Sequence, residues 1–240
     1  MSGNKGLPWT EAFFERYADH WDWRGLSGNH ALPWNDILIE RYVDHWDWRG
    51  LSGNHALPWN EILIERYAEF WDWEMFSENP ALPWSEALIE RYAGRWSWQR
   101  LGGNAALPWS EALIERYAGH WNWQKLSGNP ALPWSEALIA RYVKHWNWGE
   151  WLFGERGLSG NEALPWSEAL IARYTEYWNW ERLSSNKSLP WSHTIYERFA
   201  DRWDANSVTW WYHGNYDGNV RSLTPEQVDR LMRDFYRKID

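Results

Sequence analysis

The 240-residue chain has no cysteine, which excludes disulfide staples, thiolate metal sites and a cysteine nucleophile. It also lacks a basic excess. Lys and Arg number 24 against 33 Asp and Glu, a net charge of −9 at pH 7, and a general phosphate-backbone binder needs the opposite balance. Long apolar runs are missing too. The opening residues have no apolar core of an export signal, and no stretch approaches the roughly 18 continuous apolar residues of a membrane span. The expectation from these absences is a soluble, cytoplasmic protein without membrane contact.

What fills the chain instead is repetition. The tripeptide Leu-Pro-Trp begins at Leu7, Leu32, Leu57, Leu82, Leu107, Leu132, Leu164 and Leu189, in steps of 25 residues with one step of 32. A period of this size marks a solenoid or array, in which each unit buries its apolar face against its neighbours. The 26 tryptophans are the main core material, since each can bury roughly 150–250 Å². The chain starts in phase, with Ser2-Gly3-Asn4 matching Ser127-Gly128-Asn129, which leaves open whether it is a fragment of a longer array.

Each unit carries two helix-start signals. The residue after Leu-Pro-Trp is Thr10, Asn35, Asn60, Ser85, Ser110, Ser135, Ser167 or Ser192, all N-capping types. Leu88, Ile89, Tyr92 and Trp96 follow at helical spacing, so a first helix is expected from Glu86 to Arg95 or Trp96. Between the paired tryptophans stand Asp22, Asp47, Asp72, Ser97, Asn122, Asn147, Asn179 or Asp204, again capping types, ahead of a shorter helix. Gly28, Gly53, Gly103, Gly128 and Gly160 sit where a left-handed C-cap would end it. The Ala-Leu-Pro step should be extended. The fold expected is all-α, a solenoid of eight 25-residue repeats (long helix, short helix, extended return) over residues 1–206, with an insertion at about 149–157. Residues 207–240 would form a C-terminal cap of hairpin plus helix. The alternative is a mixed solenoid whose Ala-Leu-Pro-Trp edge forms a strand-like ladder.

Several positions invite both a structural and a functional reading. Asn4, Asn29, Asn54, Asn79, Asn104, Asn129, Asn161 and Asn186 recur in every unit; the structural reading is an amide bonding its own turn and the neighbouring backbone. Arg16, Arg41, Arg66, Arg91, Arg116, Arg141, Arg173 and Arg198 also recur, with Glu before six of them and Ala140 and Ala172 before the others. Inter-repeat Arg–Glu pairs with guanidinium–indole stacking are expected there. Trp9, Trp34 and their equivalents, and the second Trp of each Trp-x-Trp, are expected in the core.

The variable positions are the candidates for binding. Before the Trp-x-Trp pairs stand His20, His45, Phe70, Arg95, His120, His145, Tyr177 and Arg202, all planar and able to stack. The bland reading of this column is a boundary covering the edge of the core. Its histidines would lie a helix spacing apart, too far to share one ion, so no metal and no cofactor is expected. The insertion between Trp148 and Leu158 carries Trp151, Phe153 and Arg156, either as an apolar contact for a partner or second copy or as a plug in the stack.

The repeat, with Leu-Pro-Trp-[Ser/Thr]-Glu-Ala-Leu-Ile-Glu-Arg-Tyr and a Trp-x-Trp-x-x-Leu-Ser-x-Asn tail, resembles tryptophan-rich tandem-repeat proteins of bacteria and large DNA viruses. The resemblance covers roughly Ser2 to Trp203 and brings no functional residue with it. Near-identical repeats do not supply the localised nucleophile, base and electrophile of an enzyme. The expected function is therefore a non-enzymatic protein-interaction scaffold with an elongated repeat surface. Its expected ligand is a protein partner, with self-association open. The alternative is a carbohydrate or other periodic polymer held by aromatic stacking. Nucleic-acid reading comes third, opposed by the acidity and by the invariance of the arginine column.

Overall fold

The computed structural model describes residues 6, 7, 9–149 and 157–204, except the side chains of Glu11 and His193. The insertion residues Trp151, Phe153 and Arg156 and the expected C-terminal hairpin and helix lie outside the described residues. Among the described residues every regular element is helical and there is no strand. The chain is an all-α repeat solenoid, divided into two compact units, Met1–Pro133 and Trp134–Asp240. Each unit is built from the same repeat.

Every repeat opens with a six-residue helix that begins one residue after the expected cap and ends on the recurring arginine, as in Asp36–Arg41, Glu86–Arg91 and Glu168–Arg173. The cap side chain accepts from the third helical N–H in all eight repeats, for instance Asn35 Oδ1 from Leu38 at 2.8 Å and Ser110 Oγ from Leu113 at 3.0 Å. The closing arginine places a cation at the negative end of the helix dipole.

The first helix is thus shorter than its apolar spacing suggests, stopping at Arg91 rather than Arg95 or Trp96. The reason lies in who takes the Ile89 carbonyl. A continuing helix would give it the Ala93 N–H, but Ala93 bonds to Glu90 O at 3.2 Å, and the Trp96 indole donates to Ile89 O at 3.1 Å. A side chain seven residues on satisfies the helix end, and the backbone leaves through the turn after Tyr92.

The second helix, such as Trp48–Ser52 or Trp123–Gly128, starts at the expected site. Asp72, Asn122 and Asn179 cap it through their side chains, whereas Asp22, Asp47 and Ser97 make no such bond. Its end differs from the expectation. Gly28 and Gly53 have φ near −89°, and the positive-φ glycines among the described residues are Gly149 and Gly157. No left-handed cap is needed, because the following asparagine closes the helix: Asn54 N–H bonds to Leu51 O at 2.9 Å.

The return is tighter than an extended segment. In Leu-Pro-Trp the tryptophan N–H bonds the leucine carbonyl two residues back, at 2.8 Å for Trp34 and Trp109 and 2.7 Å for Trp84. This is a γ-turn centred on proline, whose fixed φ suits the inverse form. A strand-like ladder along this edge is overturned by that turn, which bends the backbone where a ladder would need it straight.

Helices of four to six residues are unstable alone, so packing between repeats must hold them. In both units the core is the helix pair of each repeat (Leu63 and Ile64, for example), the leucine of the return and the leucine of the second helix. Leu51, Leu101 and Leu183 are wholly buried, as is Phe76 at the same position. Of the tryptophans, the first of the Trp-x-Trp is core from the second repeat on, with Trp46, Trp71, Trp96 and Trp178 only 4–5% exposed, while Trp21 is half-buried. The expectation for the Leu-Pro-Trp tryptophan and the second of Trp-x-Trp is corrected in part: Trp34, Trp59, Trp48 and Trp73 are half-buried, their outer edges lying on the boundary, whereas Trp148 is buried as expected.

Candidate functional site

Polar groups that recur in every repeat are occupied in holding the stack. The asparagine is buried, and Asn54 Nδ2 donates to Ser27 O of the preceding repeat at 2.9 Å while its Oδ1 accepts from Ala56 N–H at 2.9 Å. Its own carbonyl accepts the Trp59 indole N–H at 2.9 Å. The same set recurs at Asn79, at Asn104 and, in the second unit, at Asn186.

A second ladder was not singled out by the sequence pattern. Ser52 Oγ donates to Trp48 O at 2.7 Å and accepts from Asp72 N–H of the next repeat at 2.9 Å. Ser27, Ser77 and Ser184 repeat this arrangement. Its sequence signal was visible as the serine of Leu-Ser-Gly-Asn, replaced by Gly102 in one repeat.

The arginine column pairs as expected with acids of the preceding repeat. Arg41 meets Glu15, Arg66 meets Glu40 at 3.5 Å, and Arg91 lies between Glu61 at 3.5 Å and Glu65 at 3.9 Å. Where alanine replaces the nearer acid, the glutamate of the first turn takes over: Arg173 meets Glu136 at 3.9 Å and Arg198 meets Glu168 at 2.6 Å. Stacking differs from the expectation, since Arg173 and Arg198 lie over their own Tyr174 and Phe199 rather than over an indole. These pairs are solvent-exposed, so each contributes little.

The variable planar residues form one edge in each unit. Each ends the turn after the first helix, its N–H bonded to the carbonyl three residues back, as His45 to Tyr42 at 2.9 Å and Phe70 to Tyr67 at 2.9 Å. Five of the side chains, His45, Phe70, Arg95, His120 and Tyr177, reach back onto the second Trp-x-Trp tryptophan of the preceding repeat. Ring centroids are 4.8 Å apart for His45 and Trp23, 4.9 Å for Phe70 and Trp48, 5.2 Å for His120 and Trp98, and 5.0 Å for Tyr177 and Trp148. Arg95 lies 5.6 Å over Trp73. His20 and His145 occupy the same turn position and are exposed. Phe70 and Tyr177 remain 52% and 49% exposed, although one face of each ring is covered.

The tryptophans beneath Phe70, Arg95, His120 and Tyr177 are pinned through their indole N–H. Trp48 Nε1 donates to Val43 O at 3.2 Å, Trp73 to Ala68 O at 3.1 Å and Trp98 to Ala93 O at 3.1 Å. Where the column residue is arginine, it follows a repeat carrying glutamate at the matching place. Arg95 bonds Ala68 O at 2.8 Å and pairs with Glu69; Arg202 pairs with Glu176 at 2.7 Å. Beside them Arg100 bridges Glu74 and Glu78, and those hydrogen bonds raise its pKa above the ordinary guanidinium value.

Among the described residues no group of three or more His, Asp or Glu is placed to hold a metal ion. None of the described helices is long and apolar enough to cross a membrane. Compared with known proteins, the chain matches no family model, no curated protein and no solved structure.

Proposed function

We propose that the chain is a non-catalytic scaffold that binds a protein partner along the edge formed by His45, Phe70, Arg95 and His120 in the first unit; Tyr177 marks the equivalent edge of the second unit, taken by itself. The observation that carries this is a division of labour within the repeat. Asparagine and serine spend hydrogen bonds on neighbouring repeats and the indole N–H groups on carbonyls of their own repeat, while the exposed planar column varies in identity along the chain. A surface that varies on a constant frame suits recognition of a non-periodic partner. The exposed rings of Phe70 and Tyr177 support a second reading, in which a glycan stacks on them.

The test places a photo-crosslinking phenylalanine analogue at position 70 and, as control, at exposed position 37 in cells of the source organism. Protein adducts at 70 that are absent at 37, and that disappear when His45, Arg95 and His120 are changed to alanine, support the scaffold. Equal labelling at both positions refutes the edge. Glycan-array binding that is lost in Phe70→Ala favours the second reading instead.

A further inference from the structure

Two histidines stand apart from what the repeat requires. The residue after the buried asparagine is His30 in the first repeat and His55 in the second, but Pro80, Ala105, Pro130, Glu162 and Lys187 further along. The turn does not demand an imidazole. Both side chains are exposed, and their rings face each other with centroids 5.9 Å apart and planes inclined by 28°. The backbone beneath is tied down. Asn29 and Asn54 each accept from the N–H two residues on at 2.9 Å, and Asn54 Nδ2 reaches across to Ser27 O. The two imidazoles therefore project from turns held in register.

We propose that His30 and His55 together bind one borderline divalent cation of the Cu²⁺, Ni²⁺ or Zn²⁺ class, bridging the first two repeats. A metal–imidazole bond is about 2.0–2.1 Å, and a ring nitrogen lies roughly 1.2 Å from its centroid. Two imidazoles on one ion thus have centroids about 4.6–6.5 Å apart, for N–metal–N angles between about 90° and 180°. The separation of 5.9 Å already lies in that range. The step needed is rotation of two exposed rings from face-to-face to converging edges, which staggered side-chain rotamers allow without moving the backbone.

Neutral imidazole is the common ligand for these ions, and affinity rises from Ni²⁺ to Cu²⁺. With two protein ligands the ion keeps open positions for water or a partner's side chain, unlike a closed structural zinc site. The site lies at a different position of the repeat from the planar column, so it does not depend on the scaffold reading.

Isothermal titration of the full chain, carrying no polyhistidine tag, with Ni²⁺ and with Zn²⁺ at neutral pH tests this. One ion per chain is expected. Either His30→Gln or His55→Gln should weaken it by about tenfold or more, since even outer partners of a metal ligand cost that much. His213→Gln, far along the sequence, should leave binding unchanged. Both substituted side chains are exposed, so circular dichroism should show the fold retained. Absence of binding by the unmodified chain, or binding that survives both substitutions, overturns the site.

Discussion

Asn104→Ala tests the view that buried amides, rather than helix propensity, join the repeats. Asn104 Nδ2 donates to Ser77 O at 3.0 Å and its Oδ1 accepts from Ala106 N–H at 2.9 Å. Truncation leaves both partners open, with unequal consequences. Ala106 is exposed, so water can reach its N–H and recover most of that bond. Ser77 is wholly buried, and its carbonyl stays unsatisfied, which costs about 1–3 kcal/mol. Urea unfolding followed by tryptophan fluorescence should show a lower midpoint with an unchanged slope. In a melt, about 2–4 °C should be lost per kcal/mol for a chain of this size.

Asn104→Asp sharpens the test because it keeps the acceptor for Ala106 and removes only the donor. At neutral pH a buried carboxylate would face the Ser77 carbonyl, so this variant should be at least as unstable as the alanine one. Burial raises the folded-state pKa of such a carboxyl. The unfolded chain then releases its proton first as pH rises, so the variant should regain stability relative to wild type as pH falls through the folded pKa. Wild-type midpoints in both variants would refute the amide's role.

Three further outcomes follow from the same geometry. Trp71→Phe removes a buried indole whose N–H meets Ile64 O at 3.0 Å and should cost about 2–4 kcal/mol; half-buried Trp59→Phe should cost less, and the reverse order in urea titrations would count against the core assignment. Arg66→Ala, whose ion pair with Glu40 is exposed at 3.5 Å, should change stability by no more than about 0.5 kcal/mol, so a larger fall that persists in high salt would contradict it. Deleting residues 150–156 should leave the melting temperature within about 4 °C. A β-carbon on Gly157 would lie 2.9 Å from Gly149 Cα, which puts the two α-carbons within about 4.5 Å, close to the 3.8 Å of bonded neighbours. The repeat already closes over this neck, with Leu158 N–H on Asn147 O at 2.8 Å; loss of the fold on deletion would show instead that the insertion is a plug.

Much of this fold was legible because the repeat announces itself locally. A capping residue after each Leu-Pro-Trp needs only its own third N–H, so Ser85 and Asn35 could be read without tertiary knowledge. The asparagine's bond to the preceding repeat was also legible, since an irregular turn must find partners for its polar groups. What was not legible depended on competition across the repeat. The helix end at Arg91 is decided by the Trp96 indole, seven residues beyond the carbonyl it takes, and apolar spacing carries no trace of that. The missing left-handed glycine caps have a similar cause, because the asparagine N–H closes the helix first. The column's role was half visible. Planarity could be read from the residue types, but the tryptophan beneath each side chain lies in the previous repeat and is found only by stacking the units.

The column also shows how a near-uniform array can carry information. Asn54 cannot change without stranding a buried carbonyl, and Ser52 cannot change without releasing the N–H of Asp72. Such side chains match a fixed donor or acceptor, which keeps the asparagine in every repeat and the serine in all but that of Gly102. The residue on the second tryptophan faces a weaker demand. It must cover an indole face from one side, and imidazole in His45, phenyl in Phe70, guanidinium in Arg95 and phenol in Tyr177 all do so at 4.8–5.6 Å. Each is worth on the order of 0.5–1.5 kcal/mol as a stack, so exchanging one for another changes stability little while changing charge and hydrogen bonding at the surface completely. Swapping Phe70 and His120 should therefore preserve the melting curve yet alter recognition at both repeats, separating what the array needs to stand from what its partner reads.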